Sequence, residues 1–134
     1  MWVIDKPTQI FTILKNEFSS TIKSKHQMTN QNFTDIARST KSALLPNVYF
    51  HVVNIAPEGR TFDAGTNAAW FTFQVDVTDN SELPTTTKEI MNEVIRIFSN
   101  LGFEVLDPKF EVNVNDVHRM TARFRRLIGA NEPI

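Results

Sequence analysis

Residues 86 to 128 constrain the fold more than any other part of the chain. The apolar stripe Ile90, Met91, Val94, Ile97, Phe98, Leu101 recurs at the helical period. It ends in Gly102, suited to the left-handed conformation that closes a helix, with Phe103 placed to fold back on the last turn. Ahead of it, Thr86-Thr87-Lys88-Glu89 matches a capping box, in which a threonine hydroxyl and a later glutamate satisfy backbone N–H groups reciprocally. Two strand-like segments follow, with Asp107-Pro108-Lys109 or Asn113-Val114-Asn115-Asp116 as the turn between them. In the second, His118, Met120, Ala122, Phe124 and Ile128 share one face, and Arg119, Thr121, Arg123 and Arg125 the other, with Arg126 adjacent.

Upstream, Asn67 to Thr78 is the clearest strand: Phe71, Phe73, Val75 and Val77 alternate with Thr72, Gln74, Asp76 and Thr78, so one face meets a core and the other stays polar. Pro46 opens a second strand, Asn47 to Ile55, rich in Val, Tyr and Phe. The connection Ala56 to Thr66 holds Gly59 and Gly65 and is longer than ordinary hairpin loops, so it projects as a tip. Near the N-terminus Ile10, Leu14, Phe18 and Ile22 form the apolar side of a first helix, with Asp5 before Lys6-Pro7 as its start. Residues 24 to 45 are polar, with isolated apolar side chains at Met28, Phe33, Ile36, Leu44 and Leu45. They read as a long connection with one helical turn near Phe33 to Arg38, pinned by Phe33 and Leu44 if it is only a surface loop.

The order helix, strand, strand, helix, strand, strand places this chain in the α+β class: an antiparallel four-stranded sheet with two helices on one face. A crossover through the second helix lets the last strand insert between the second and third, a circularly permuted relative of the ferredoxin-like arrangement. The length, 134 residues, fits a single domain spanning 1–134, and no stretch is long and apolar enough for a membrane-spanning helix or a secretory leader. Synthesis and folding in a cytoplasm are the expectation. The absence of cysteine excludes disulfides, thiolate metal sites and cysteine nucleophiles. A net charge of -1 gives no global attraction to nucleic acid or anionic lipid.

Particular residues carry a resemblance. Thr87-Lys-Glu-Ile-Met-Asn-Glu-Val-Ile95, then Leu101-Gly-Phe103, then Val117-His-Arg-Met-Thr-Ala-Arg-Phe-Arg-Arg-Leu-Ile-Gly129, resemble the tail terminator, or tail completion, proteins of long-tailed bacteriophages. The order of elements agrees over nearly the whole chain, and residues 85 to 130 carry the likeness at the level of motif. The resemblance implies a virion structural protein: a ring, usually hexameric, that caps the tail tube, joins it to the neck or head-tail connector, and is assembled in the host cytoplasm. Its partners would then be copies of itself, the tail tube protein and the connector proteins, with no membrane and no specific nucleic acid. A lateral contact that closes on itself makes such a ring. The alternatives are another neck or head-tail joining protein, or a small ferredoxin-like module binding a metabolite or RNA, for which Trp70 is the one strong stacking aromatic on the polar face.

Two groups stand out as a partner interface. Arg119, Arg123 and Arg125 share a strand face and in the expected sheet lie beside Trp70, Gln74 and Asp76, where arginine serves for ion pairs and aromatic stacking. Glu58, Arg60, Phe62 and Asp63 lie in the projecting tip. The competing reading of the arginines is a solvated face with internal pairing to Asp76, and of the tip a loop without a partner. No catalytic, cofactor or metal site is expected. His26, His51 and His118 fall in different elements, and Asp76, Asp79 and Glu82 lack the glycine and terminal glutamate of a calcium loop.

Overall fold

Alternation in the Phe71 to Val77 segment does what period-two patterning requires: Phe71, Phe73, Val75 and Val77 are wholly shielded from solvent, and their strand lies at the centre of the sheet. The computed structural model describes residues 2–35, 45–58, 68–80, 84–112 and 117–132, with the backbone alone for Glu111 and Val112. In chain order these form α1 (Trp2–Glu17), α2 (Ser20–Lys25), a 3-10 turn (Asn30–Asn32), β1 (Phe33–Thr34), β2 (Asn47–Pro57), β3 (Ala68–Asp79), α3 (Thr85–Asn100), β4 (Glu104–Val112) and β5 (His118–Gly129). The sheet has five strands in the order β1-β2-β3-β5-β4. The last strand does insert between the second and third long strands, and those four are antiparallel throughout. The expected four-stranded, wholly antiparallel sheet is corrected by β1, which pairs in parallel with Val48 and Tyr49 of β2.

One face of the sheet carries the core, and α1 and α3 both cover it. Phe98 of α3 stacks on Phe124 of β5 at 4.3 Å between ring centroids, Phe11 of α1 stacks on Phe50 of β2 at 5.5 Å, and Phe50 meets Phe73 at 4.9 Å. Offset aromatic contacts of this kind add to the burial of the rings themselves. Gly102, with φ at +85°, ends α3 as expected: Phe103 N–H donates to Phe98 O at 2.9 Å and Gly102 N–H to Ser99 O at 3.0 Å, the paired bonds of a Schellman ending. Phe103 folds back edge-on to Phe98 at 5.2 Å.

Other local expectations give way. The capping box does not form, because α3 starts at Thr85 and the Thr87 hydroxyl donates to Pro84 O at 2.9 Å. Glu89 reaches out of the helix to Lys25 instead, at 2.9 Å. The first helix begins at Trp2, before Asp5, with Pro7 inside its first turns, and breaks at Phe18-Ser19 before α2. A buried carboxylate stabilises that break: Glu93 accepts Ser19 N–H at 2.7 Å and an Arg96 Nη2 bond at 2.9 Å. Those bonds, from Arg96 first, hold the Glu93 carboxyl below the usual carboxylate value. In place of a helical turn near Phe33 to Arg38, the chain has the 3-10 turn and then β1, with Phe33 buried; Ile36, Arg38 and Leu44 lie outside the described residues. A buried amide pair fastens β1, Asn32 Nδ2 donating to Pro46 O at 2.8 Å and Asn47 Nδ2 to Asn32 O at 3.3 Å. Asp107-Pro108-Lys109 is a bulge inside β4 and not the hairpin turn, while Asn113 to Asp116 lie outside the described residues. An edge strand tolerates proline there because the missing N–H faces no neighbour.

Candidate interaction surface

The sheet face away from the helices is built from the polar halves of β3 and β5. Their register sets Gln74 opposite Arg123, Asp76 opposite Thr121, Thr72 opposite Arg125 and Thr78 opposite Arg119. Each arginine reaches a β3 side chain directly or on the diagonal, as the expected sheet requires. Arg119 Nη2 lies 3.2 Å from Asp76 Oδ2, and the Thr121 hydroxyl donates to Asp76 Oδ1 at 2.7 Å. Gln74 Nε2 donates to the same carboxylate at 3.0 Å while its carbonyl accepts Arg123 Nε at 3.1 Å. The Arg125 guanidinium lies 4.2 Å from the Trp70 ring centroid, and Trp70 Nε1 donates to Glu58 Oε2 at 2.5 Å.

Six residues named from sequence (Glu58, Trp70, Asp76, Arg119, Arg123 and Arg125) therefore come together on this face as two short networks. The tip residues Arg60, Phe62 and Asp63 lie outside the described residues. Asp76 is buried, and Arg119, Arg123 and Arg125 are exposed. The face is thus pre-set: acceptors lie beneath, and the guanidinium edges not used by them face solvent. Arginine held this way loses little further freedom when a partner arrives. Arg125 covers one face of the Trp70 ring.

Arg126 departs from its neighbours. Its backbone parity puts it on the helix side, where Nη1 donates to Leu101 O at 2.7 Å and Nη2 pairs with Glu132 at 2.7 Å. It satisfies a carbonyl at the end of α3 and is no part of the outer face. Glu132 also accepts Gly129 N–H at 3.0 Å, the main cause of a carboxyl held below its usual value, and its carbonyl accepts Lys6 Nζ at 2.7 Å.

Sequence reasoning missed the β4 side of the face. Asp107 has φ at +46°, and the register slips between Leu106 and Lys109, so Asp107 and Pro108 together oppose Ala122. The slip opens a cleft of about 280 Å³ lined by Gln74, Asp107, Lys109, Arg119, Thr121 and Arg123. The available signal was Asp-Pro within an otherwise strand-like run, which marks a bulge as readily as a turn. Tyr49 and His51 of β2 stack at 5.0 Å between ring centroids, on the same face by register. Among the described residues no three His, Cys, Asp or Glu side chains gather as a metal site, and no helix is long and apolar enough to cross a membrane.

No known family model matches this chain, and no curated protein matches it. Its fold is similar to that of a chain in the virion of the native gene transfer agent (GTA) particle, with a TM-score of 0.61, 15% identity, and 87% of this chain and 88% of that chain covered. The two chains share a fold over most of their lengths, with little sequence in common.

Proposed function

We propose that this chain is a structural protein of a phage-like virion that closes a ring on the end of the tail tube and joins it to the neck. The observation that carries the reading is the fold likeness to a virion chain over 87% of this chain, taken with the tail-terminator motifs in residues 85 to 130. A ring of this kind needs a lateral contact that closes and two unlike axial surfaces. The outer sheet face supplies a rigid, mixed-charge surface for one of these contacts, with Glu58, Trp70, Asp76, Arg119, Arg123 and Arg125 as its residues. The tip residues Arg60, Phe62 and Asp63 belong to the same proposal, reaching a neighbour along the axis. Its partners are copies of itself, the tube protein and the connector; its role is mechanical, without cofactor or turnover.

Electron microscopy of the purified protein mixed with its tail tube protein, with mass measurement of the protein alone, tests the reading. Rings, usually hexameric, or tubes capped at uniform length support it. Tubes that grow without limit in the presence of the protein refute it.

A further inference from the structure

Both edges of the sheet are half open, and they are open at the same height. On one side, β1 covers only Val48 and Tyr49 of β2, and among the described residues no strand pairs with the outer edge of β2 from His51 to Ala56. On the other side, Glu104 to Leu106 keep regular register with β5, and the Asp107-Pro108 bulge distorts β4 below them. The change falls on a single cross-strand row, in which His51, Gln74, Arg123 and Leu106 stand side by side across the four long strands. Below that row β1 occupies one edge, while a bulge, a proline and Lys109 guard the other, devices that keep an edge from pairing. Above it, toward Ala56, β2 has no Asp, Glu, Lys or Arg, and its own bulge exposes an apolar residue, Val53, at 40%. β4 has Glu104 there, with Arg125 opposite it in register.

The core runs out to both open halves. The next row up, Val52, Phe73, Phe124 and Val105, has two wholly shielded phenylalanines in the middle and a half-buried valine at each end. Each valine packs against the core and leaves apolar surface that a further strand would cover. The two edges also match in direction. The four long strands alternate, so β2 and β4 run opposite ways. A second copy laid beside the first in the same orientation therefore brings its β2 antiparallel to β4, the pairing these strands already make.

We infer that copies of this chain join side by side through these edges, the Glu104–Leu106 edge of one copy adding to the His51–Ala56 edge of the next, with Val105 against the neighbour's Val52. A second copy is the occupant because both halves of the contact lie on this chain, at the same rows, with matching apolar ends. The contact is heterologous: each copy offers one edge and receives at the other, so repetition makes a ring where the rotation closes and a filament where it does not. The inference names the lateral contact of the proposed ring and rests on that reading for closure; the pairing of edges itself holds for any side-by-side array.

The chain has no cysteine, so engineered thiols report on the contact without background. Val52→Cys, Val105→Cys and the double variant are oxidised mildly, alone over a range of concentrations and mixed with the tail tube protein. Non-reducing electrophoresis, mass measurement and electron microscopy read the outcome. Within one copy the two positions are three strand spacings apart, about 14 Å. A disulfide needs Cα atoms within about 7 Å, so any cross-link joins two copies. Covalent multimers larger than a dimer from the double variant, a dimer from the two single variants mixed, and none from either alone support the inference. Val53→Lys, a charge at an exposed position of the same edge, is expected to weaken association about tenfold or more while the melting temperature stays that of the unsubstituted chain. Full association in Val53→Lys overturns the inference, as do dimers from either single variant alone, which indicate a two-fold contact. Rings or capped tubes without the cross-link overturn it and leave the ring reading standing. Cross-linked multimers with neither rings nor capped tubes support the edge contact and refute closure, and no association by any readout overturns both.

Discussion

Gly102 and Glu93 hold the two ends of the same local problem, the satisfaction of backbone groups where a helix stops. At Gly102 the nearest atom a Cβ would meet is on the Arg126 side chain, at 3.6 Å, an ordinary contact, so the obstacle to a larger residue is the positive φ itself. Gly102→Ala is expected to cost about 1 kcal/mol by chemical denaturation, the typical penalty of an L residue in the left-handed region. Glu93→Ala leaves the half-buried Ser19 N–H without its acceptor and is expected to cost about 1 kcal/mol in the same measurement. The glycine was legible in the sequence, because a helix period that stops at Leu-Gly-Phe has few other readings. The glutamate was not, since its partner Ser19 is 74 residues away and nothing local marks the pair. Arg126, adjacent in sequence to the outer arginines, takes the opposite face by parity, but its partners Leu101 O and Glu132 were not legible, since no local pattern marks them.

Among the elements, α3 and β5 meet through the closest aromatic contact of the core, Phe98 on Phe124. Phe98→Ala is expected to destabilise by about 3–5 kcal/mol, read as a lowered denaturation midpoint, with the spread depending on how far Phe50 and Phe103 relax into the space. The four long strands and both long helices were legible because each is long enough for its period to show. β1 has two residues, too few for any period, and is held by the Asn32 and Asn47 amides, which in sequence look like ordinary polar loop residues. The capping box was a correct motif in an inactive place: the helix starts two residues earlier than the motif assumes, and Thr87 turns inward. The candidate face divides in the same way. Its arginine row followed from period two alone, whereas the cleft depends on a register slip that only the paired strands reveal.

For the whole molecule, pH is a global lever. The carboxyl groups of Glu89, Glu93 and Glu132 all titrate below the usual 4.5 in the folded chain, held there mainly by bonds from Lys25, Arg96 and Gly129 N–H respectively. Groups depressed in the folded state contribute stability that is present above their unfolded value and lost as pH falls through the folded one. The melting temperature is therefore expected to hold on moving from neutral pH to about 5.5 and to drop below about 4.5, with a shallower drop in Glu132→Gln. A melting temperature that does not change down to pH 3 contradicts the assignment of these contacts.

The strand order carries a consequence for the life of the chain before it folds. β5 follows every other described element in the chain, yet it lies inside the sheet, and β3 pairs with it along its whole length. Until it arrives, the growing chain shows an open β-edge bearing Phe71, Phe73 and Val75, the surface on which nascent chains stick to one another. Closing that edge must wait for β5, and a product cut short before His118 is expected to collect in the insoluble fraction, visible by sedimentation of truncated translation products. The arrival of β5 is thus the checkpoint past which this sheet is safe to accumulate.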